Sequence, residues 1–296
     1  MISVPAEVDP RIGTGNWEAF HGYPLQHVFD VTAGWRDRLR GHKHLWLCWN
    51  VSPRWSVVQQ RLAKSVGWTP LVGFDPRVGP PPVEPGAILI DFNEHFHFPV
   101  MWPHFPLEFA FSFIEHKLAF WHADLLCRPP VLQNLDTLFR NLDAGELSAV
   151  FDVGGRRNYF NFRKHRYWEL AGCTTRDASE NQFYNGTGWW RNFNLHLKCV
   201  SAKEREERGR LDYDSGVGIL YWRNKYNGRI HDVDIHLVKE GHCSEISRLK
   251  TYQQSPNHTT AMRDLNSELD RNFSLDEVAA RLGIGHFVPP ASRGVL

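Results

Sequence analysis

Short apolar runs separated by turn residues recur through the first half of the chain. Runs of four to seven apolar positions between turn signals are typical of buried strands, and apolar residues three or four apart are typical of helices. The runs predict strands at His44–Asn50, Thr69–Phe74, Ala87–Phe92, Leu118–Trp121 and Leu147–Val153. Helical spacing predicts helices at Trp55–Val66, Leu107–Lys117 and Leu132–Leu142.

Strands and helices that alternate in this way indicate an α/β fold. Such a rhythm requires crossover helices, so it predicts a mixed, mostly parallel central sheet flanked by helices. The turn-rich residues 1–40 predict a loose N-terminal wrap. Further strands are predicted at Gly216–Trp222 and Asp232–Val238.

The C-terminal residues predict a small helical tail. Helices are expected at His258–Asn272 and at Leu275–Leu282, the second capped by Ser274 and stopped by Gly283. We therefore expect a catalytic domain over residues 1–250 and a helical appendage over 251–296. The second helix resembles the first helix of a helix-turn-helix, but Pro289-Pro290 follow it where a recognition helix would be needed.

Composition and charge indicate which kinds of partner and which cellular location to expect. A net charge of +1 gives no basic field for nucleic acid, and no apolar run approaches the ~20 residues of a membrane span. The N-terminus shows no secretory signal, and the five cysteines are odd in number and widely spaced. These features predict a cytoplasmic protein with no nucleic-acid partner and no membrane span.

Polar side chains follow several of the predicted strands. In parallel sheets the ligand crevice lies outside the C-terminal ends of the strands, so these side chains are expected to converge there. The residues concerned are Asn50, Asp91, Asn93, His122, Asp124 and Asp152.

The leading cluster is His122-Ala123-Asp124 together with the distant His242. In this hypothesis Asp124 gives oxygen to Mn²⁺ or Mg²⁺, and His242 joins from a later loop. His122 contacts substrate or a neighbouring residue rather than metal. The alternative is that Asp124 caps a turn or pairs with an arginine while His242 is merely exposed.

With FWHAD at a strand end and a late Gly241-His242, the chain resembles a nucleotide-sugar glycosyltransferase of GT-A type. The resemblance covers roughly residues 43–245, and its most specific part is a DxD-like motif. His122 stands where the family has its first aspartate, and Asp124 matches the second, metal-binding carboxylate. The resemblance implies a GT-A-like fold, a nucleotide-sugar donor and an acceptor that the sequence does not identify.

The same resemblance implies roles for further residues. The turn at Asn50 and Ser52, together with Asp91, would approach the nucleotide. Asp152, Gly154 and Gly155 would approach the donor sugar. The acceptor would lie on Trp189, Trp190 and Arg191, although ordinary core packing is the alternative for the tryptophans and a bare turn for the glycines.

A catalytic base is needed if the transferase inverts the sugar. Such a base is a carboxylate within hydrogen-bond reach of the acceptor hydroxyl, and Asp214 and Glu180 are the candidates. A solvated turn or helix surface is the alternative for each.

Two other functions remain open from the sequence. His95-x-His97 on a strand would place both imidazoles on one face, as in a zinc or iron hydrolase or oxygenase with Asp124 or His122 as third ligand. A non-catalytic module that binds carbohydrate or protein on a transferase-like fold is the other alternative.

Overall fold

The structure is a computed structural model that describes residues 23–98, 101–152, 166–189, 216–243, 269 and 273–290. Among these residues the strands are β1 (His44–Asn50), β2 (Thr69–Phe74), β3 (Ile88–Leu89), β4 (Lys117–Trp121), β5 (Glu146–Asp152), β6 (Arg166–Thr175) and β7 (Arg229–Asp234). The helices are α1 (Leu25–Arg38), α2 (Pro53–Ser65), α3 (His104–Glu108), α4 (Ala110–Phe113), α5 (Pro129–Arg140), α6 (Arg176–Asn185), α7 (Val217–Tyr226), α8 (Ile235–Lys239) and α9 (Leu275–Arg281).

The strands form one mixed, mostly parallel sheet in the order β3-β2-β1-β4-β6-β5-β7. β2 pairs with β3 and β5 with β7 in parallel, whereas β6 runs antiparallel to β5 with a register shift between Ala149 and Val150. The predicted α/β class is therefore confirmed. The order reverses at β1, because β2 and β3 extend to one side of it and β4 begins the other side.

The chain divides into two compact units, which we describe separately. The first comprises residues 1–45, 102–120 and 138–235. In it the Phe29 ring of α1 lies with its centroid 6.4, 6.1 and 5.8 Å from those of Phe109, Phe111 and Phe183. These edge-on contacts between buried rings fasten α1 to α4 and α6.

The second unit comprises residues 46–101, 121–137 and 236–296. Three tryptophans of its core are in contact, because the Trp46 ring centroid lies 5.4 Å from that of Trp68 and 4.5 Å from that of Trp121. Many of the chain's tryptophans are therefore core residues, because burying such large rings stabilises the unit strongly.

The described C-terminal residues are anchored to α2 within the second unit. Arg54 pairs with Asp276 at 3.2 Å, and Arg61 donates to the carbonyl of Phe287 at 2.9 Å. The expected cap is present, since the Ser274 hydroxyl accepts from the Glu277 N–H at 3.3 Å. The boundary expected at residue 250 and the helix expected at His258–Asn272 lie outside the described residues.

Three secondary-structure predictions were wrong. Residues 25–38 of the expected loose wrap form α1, whose buried residues Leu25, Val28, Phe29 and Thr32 follow helical spacing behind the breakers Gly22 and Pro24. The apolar run from Gly216 forms α7 instead of a strand, because a short apolar run does not distinguish the two.

The third error concerns the segment expected to be one strand at Asp232–Val238. β7 ends at Asp234, and Ile235 begins the helix α8. Two adjustments are smaller: the strand at Ala87–Phe92 shortens to β3, and the helix at Leu107–Lys117 becomes α3 and α4. No helix among the described residues is long and apolar enough to cross a membrane.

The close packing at Gly172 in β6 provides a test of this sheet. A Cβ added there would lie 2.4 Å from the Ser148 carbonyl oxygen and 2.5 Å from the Phe120 ring. We expect Gly172→Ala to lower the free energy of unfolding by about 1–3 kcal/mol, because overpacking forces neighbouring groups apart. Denaturant unfolding followed by tryptophan fluorescence measures the change.

Gly34→Ala is the matched control, since Gly34 is exposed in α1 and nothing lies within 4 Å of an added Cβ. It should raise the free energy of unfolding by about 0.5–1 kcal/mol, because alanine loses less entropy than glycine in a helix. Equal effects of the two substitutions would contradict the sheet register at Gly172.

Candidate metal centre

Three potential metal ligands converge directly after β4 in the second unit. His122 Nδ1 and His242 Nε2 each lie 3.4 Å from the same oxygen, Oδ1 of Asp124. The two ring nitrogens are 3.3 Å apart. Among the described residues this is the group of histidine, cysteine or acidic side chains whose spacing would hold a metal ion.

The spacing of these atoms is wider than that of short hydrogen bonds and would also accommodate a cation. Hydrogen bonds between nitrogen and oxygen have a usual length of about 2.9–3.0 Å, so contacts of 3.4 Å are weak ones. A cation about 2.1 Å from each atom fits within a triangle with sides of 3.3–3.4 Å. The donor set is therefore compatible with a divalent cation.

The end of β4 presents two of the three ligands. β4 is buried from Leu118 to Trp121, and the chain then turns, with the Leu125 N–H bonded to the His122 carbonyl at 3.1 Å. This turn directs the side chains of His122 and Asp124 toward the same point. Asp124 is 7 % exposed, so its charge is largely removed from water.

His242 reaches the cluster because its segment pairs with the turn after β4. Leu125 and His242 form an antiparallel bridge, and Cys243 N–H donates to the Asp124 carbonyl at 3.2 Å. The Leu126 N–H donates to the Gly241 carbonyl at 3.0 Å. These backbone bonds fix the distance between the two histidines.

Glycine is required at position 241 for this pairing. A Cβ there would lie 1.6 Å from the Leu126 carbonyl oxygen, which no other residue type can tolerate without a backbone shift. The Gly241-His242 pair noted in the sequence therefore combines a close backbone approach with a ligand.

Gln59 of α2 holds the turn that carries His122 and Asp124. Its fully buried amide donates to the carbonyls of His122 at 2.7 Å and Leu125 at 2.9 Å. One side chain thus fixes both ends of the turn. The sequence analysis missed Gln59, because a glutamine within a helix carries no signal of a distant partner.

The electrostatics of Asp124 reflect its two histidine neighbours. Burial raises the pKa of Asp124, because it disfavours the charged carboxylate. The hydrogen bonds from His122 and His242, and their positive charge when protonated, outweigh burial and hold the pKa well below its usual range. The carboxylate is therefore ionised and available as a ligand at neutral pH.

His122 contacts neighbouring residues, which is one of the two roles expected for it. The sequence analysis assigned it to substrate or a neighbour and reserved metal binding for Asp124 and His242. The structure places its Nδ1 with the other two ligand atoms, and its side chain is 31 % exposed. The His122 nitrogen could therefore serve as a ligand together with Asp124 and His242.

Other polar groups follow β1, β2 and β3 in the same unit. Asn50 is fully buried and donates to the Gly79 carbonyl at 2.8 Å, while its Oδ1 has no hydrogen-bond partner among the described residues. Ser52 caps α2 by position and is buried. Asp91 is half-buried and accepts from the Asn93 N–H at 2.9 Å.

Asp75 is a further polar residue at a strand end that the sequence analysis missed. It follows β2 directly, is 2 % exposed, and accepts two bonds from the Arg77 guanidinium at 2.7 and 2.6 Å. Its position after a predicted strand was the available signal. This pair fixes the loop to which Asn50 is also bonded.

Several other candidate residues lie outside the described part or carry no site geometry. Asp152 ends β5, but its side chain is outside the described residues, as are Gly154, Gly155, Trp190, Arg191 and Asp214. Glu180 is on α6 in the first unit, 4.0 Å from Arg176 in an i,i+4 pair. Its role as a base stays a prediction.

Trp189 is a core residue rather than an open face for an acceptor. It is 1 % exposed, and its ring centroid lies 5.2 Å from that of Phe120 in an edge-on contact. Of the two explanations that the sequence allowed, core packing agrees with this burial.

His95 and His97 do not have the strand geometry that their spacing suggested. Residues 92–96 form turns, and His97 has a φ of 51°. Alternation of side chains therefore does not place the two rings on one face. Neither residue belongs to the group of potential ligands found among the described residues.

A pair of glutamines on α2 tests how the turn is held. In Gln59→Leu the His122 and Leu125 carbonyls lose their hydrogen-bond donor. The free energy of unfolding should fall by about 1–3 kcal/mol for each carbonyl that is left buried without a donor. Affinity for Zn²⁺, used as a probe in calorimetry, should fall about 10- to 100-fold, because groups that orient ligands have effects of this size.

Gln60→Leu is the control for this substitution. Gln60 is equally buried, but it donates to the Pro82 carbonyl at 3.0 Å and accepts from the Glu84 N–H at 2.8 Å. Its loss should destabilise the protein similarly and leave Zn²⁺ affinity unchanged. Equal affinities in the two variants would show that Gln59 does not position the ligands.

The low pKa of Asp124 predicts an acid dependence of stability in the metal-free protein. A carboxyl group with a lowered folded-state pKa contributes stability above the unfolded pKa of about 3.9, and that stability is lost as pH falls toward the folded value. The free energy of unfolding of the wild type should therefore exceed that of Asp124→Asn most at about pH 6, with the difference shrinking below about pH 4. Denaturant unfolding across this range measures it, and a constant difference would contradict the assignment.

Comparisons with protein-family models, curated proteins and solved structures gave no match for this chain.

Proposed function

We propose that this protein is a glycosyltransferase of GT-A type that moves a sugar from a nucleotide-sugar donor to an acceptor hydroxyl. The observation that carries the proposal is the convergence of His122, Asp124 and His242 on one point directly after β4. A divalent cation held there would neutralise the diphosphate leaving group of such a donor.

The position of the cluster in the sheet supports this proposal. In α/β sheets, ligands bind outside the C-terminal ends of strands where the strand order reverses. The order reverses at β1, whose neighbour on the far side is β4. His122 and Asp124 follow β4, His242 is bridged to the turn after β4, and Asn50 ends β1.

The polar groups after β1 to β3 support a nucleotide partner. Asn50 offers a buried oxygen without a hydrogen-bond partner in the described part of the chain, and such an acceptor is compensated when a ligand or water donates to it. Asp91 is half-buried and already accepts from the Asn93 N–H, and a carboxylate can accept further hydrogen bonds. A ribose or a base with N–H and O–H donors would satisfy both residues.

In this proposal each residue of the centre has a defined role. Asp124 contributes the one negative charge, and the two histidines contribute neutral nitrogen ligands. Gln59 and Gly241 keep the two ligand segments in register. The base that would accept the acceptor proton stays a prediction at Asp214 or Glu180.

A second candidate function is favoured by the same ligand set. Two histidines and one carboxylate with open positions also occur in metal-dependent hydrolases and oxygenases. A metalloenzyme of this kind would use His122, Asp124 and His242 in place of His95 and His97. It would bind metal without needing a nucleotide, and this difference separates it from the transferase.

Donor binding tests the proposal. Calorimetry with a panel of uridine- and guanosine-diphosphate sugars, with and without Mn²⁺, should show binding of one donor that depends on the cation. Asp124→Asn keeps the size of the side chain and removes its charge, so it should weaken donor binding by at least about ten-fold.

Glu146→Gln is the control for Asp124→Asn. Glu146 is a carboxylate with an 11 % exposed side chain that pairs with His231 at 3.0 Å and with Arg229 at 3.2 Å, and it lies in the first unit. This variant should retain donor binding. Absence of binding to every donor tested, or equal binding by Asp124→Asn, would overturn the proposed function.

A further inference from the structure

We infer that the centre formed by His122, Asp124 and His242 selects a transition-series cation of the Zn²⁺, Co²⁺ or Fe²⁺ type over Mg²⁺. This inference rests on the metal site of the proposed function and deepens it by assigning the class of the cation. It is carried by the chemistry of the three ligand atoms and by their separations.

The first argument is ligand type. Two of the three ligands are imidazole nitrogens, which suit zinc, iron, nickel and copper, whereas Mg²⁺ prefers oxygen and retains several waters. A carboxylate at position 122 would add an oxygen ligand, whereas His122 offers a nitrogen. The residue at position 122 therefore determines whether nitrogen or oxygen ligands predominate.

The second argument is geometry. A cation about 2.1 Å from three atoms that are 3.3–3.4 Å apart makes ligand–cation–ligand angles of roughly 105°, close to a tetrahedron. Mg²⁺ at a similar distance requires angles near 90° and neighbouring ligands about 3.0 Å apart. The three observed separations between ligand atoms, 3.3–3.4 Å, all exceed the spacing that Mg²⁺ requires, and they do so by similar amounts.

The third argument is that the frame resists contraction. The His122 and Leu125 carbonyls are held by Gln59, and the His242 backbone is bridged to Leu125. Both ligand segments are therefore attached to buried structure through backbone groups. A cation that needs closer ligands would have to draw them in by side-chain rotation alone, because the buried backbone on both sides does not adjust freely.

The fourth argument is charge. With one carboxylate and two neutral imidazoles, a divalent cation keeps one net positive charge, whereas a second carboxylate would cancel it. A centre with residual positive charge attracts an anionic ligand such as a diphosphate more strongly. The histidine at position 122 thus raises the attraction for an anion and favours the transition-series cation at the same time.

The experiment compares metal affinities of the wild type and His122→Asp. Metal-free protein is titrated with Zn²⁺ and with Co²⁺, whose visible absorption reports imidazole ligands, and then challenged with Mg²⁺. In the wild type one Co²⁺ per chain should bind, and a hundred-fold excess of Mg²⁺ should not displace it. Because most sites prefer Zn²⁺ to Mg²⁺ to some degree, the change in preference on substitution is the decisive quantity.

In His122→Asp the ratio of Zn²⁺ to Mg²⁺ affinity should fall by at least about ten-fold, because an oxygen ligand replaces nitrogen. His231→Ala removes a histidine that is paired with Glu146 at 3.0 Å outside the centre, and it should leave the ratio unchanged. Mg²⁺ binding as tightly as Co²⁺ in the wild type, or an unchanged ratio in His122→Asp, would overturn the inference. If His122→Asp does not fold, the same ratio is measured in His122→Asn, which also places an oxygen ligand at position 122, and an unchanged ratio there would overturn the inference.

The failure of this inference can be distinguished from failure of the proposed function. If Mg²⁺ binds at the centre as tightly as Co²⁺ and a donor also binds, the proposed transferase function is supported and the proposed metal selectivity is wrong. Selective Co²⁺ binding without any nucleotide-sugar binding would sustain the selectivity and remove the transferase.

Discussion

The removal of the Asp124 carboxylate from water is the constraint on which the second unit's site depends. A buried charge without partners is costly, so the fold must bring compensating groups to it. Two imidazoles from segments 120 residues apart converge on a single oxygen of that carboxylate. Their positions stabilise the carboxylate and would also suit them as ligands of a divalent cation. The local sequence after β4 and the late Gly-His pair are therefore parts of one electrostatic arrangement.

The backbone around the centre explains why so few residues suffice to build it. The antiparallel bridge between Leu125 and His242 holds the two ligand segments at fixed separation. Gly241 allows the close approach, and Gln59 fixes the turn from the side of α2. Each of these contacts uses a backbone carbonyl or N–H, so the geometry of the centre depends little on the long side chains at the surface.

The elements that the sequence predicted well are those whose cause is local. β1 and β2 have the predicted bounds, because each is a short apolar run closed by turn residues. The cap and end of α9 follow from Ser274 and from Gly283, which has a φ of +71°. Local signals also placed Asp124 and His122 at a strand end, where the structure has them.

What the sequence did not predict depends on distant contacts. The apolar run from Gly216 fits a helix and a strand equally well, and only packing against the rest of the protein decides that it forms the helix α7. The ligand role of His122 depends on the approach of His242, which no local pattern specifies. Gln59 is equally invisible, since its partners are carbonyls 63 and 66 positions away. Trp189 shows the opposite case, because an aromatic residue that suits a sugar also suits a core.

The histidine at position 122 changes the chemistry of the site without changing its place in the fold. A carboxylate there would stand beside the buried Asp124, and two like charges at this separation would raise each other's pKa and repel unless a cation were bound. An imidazole relieves that repulsion, because it is neutral or positive and contributes one nitrogen. The centre can then keep its shape in the absence of a cation, held by backbone pairing and by weak imidazole–carboxylate contacts. When a cation binds, this preformed frame carries one net positive charge, which attracts an anionic ligand. Little reorganisation is then needed on binding, because the frame already has its final shape.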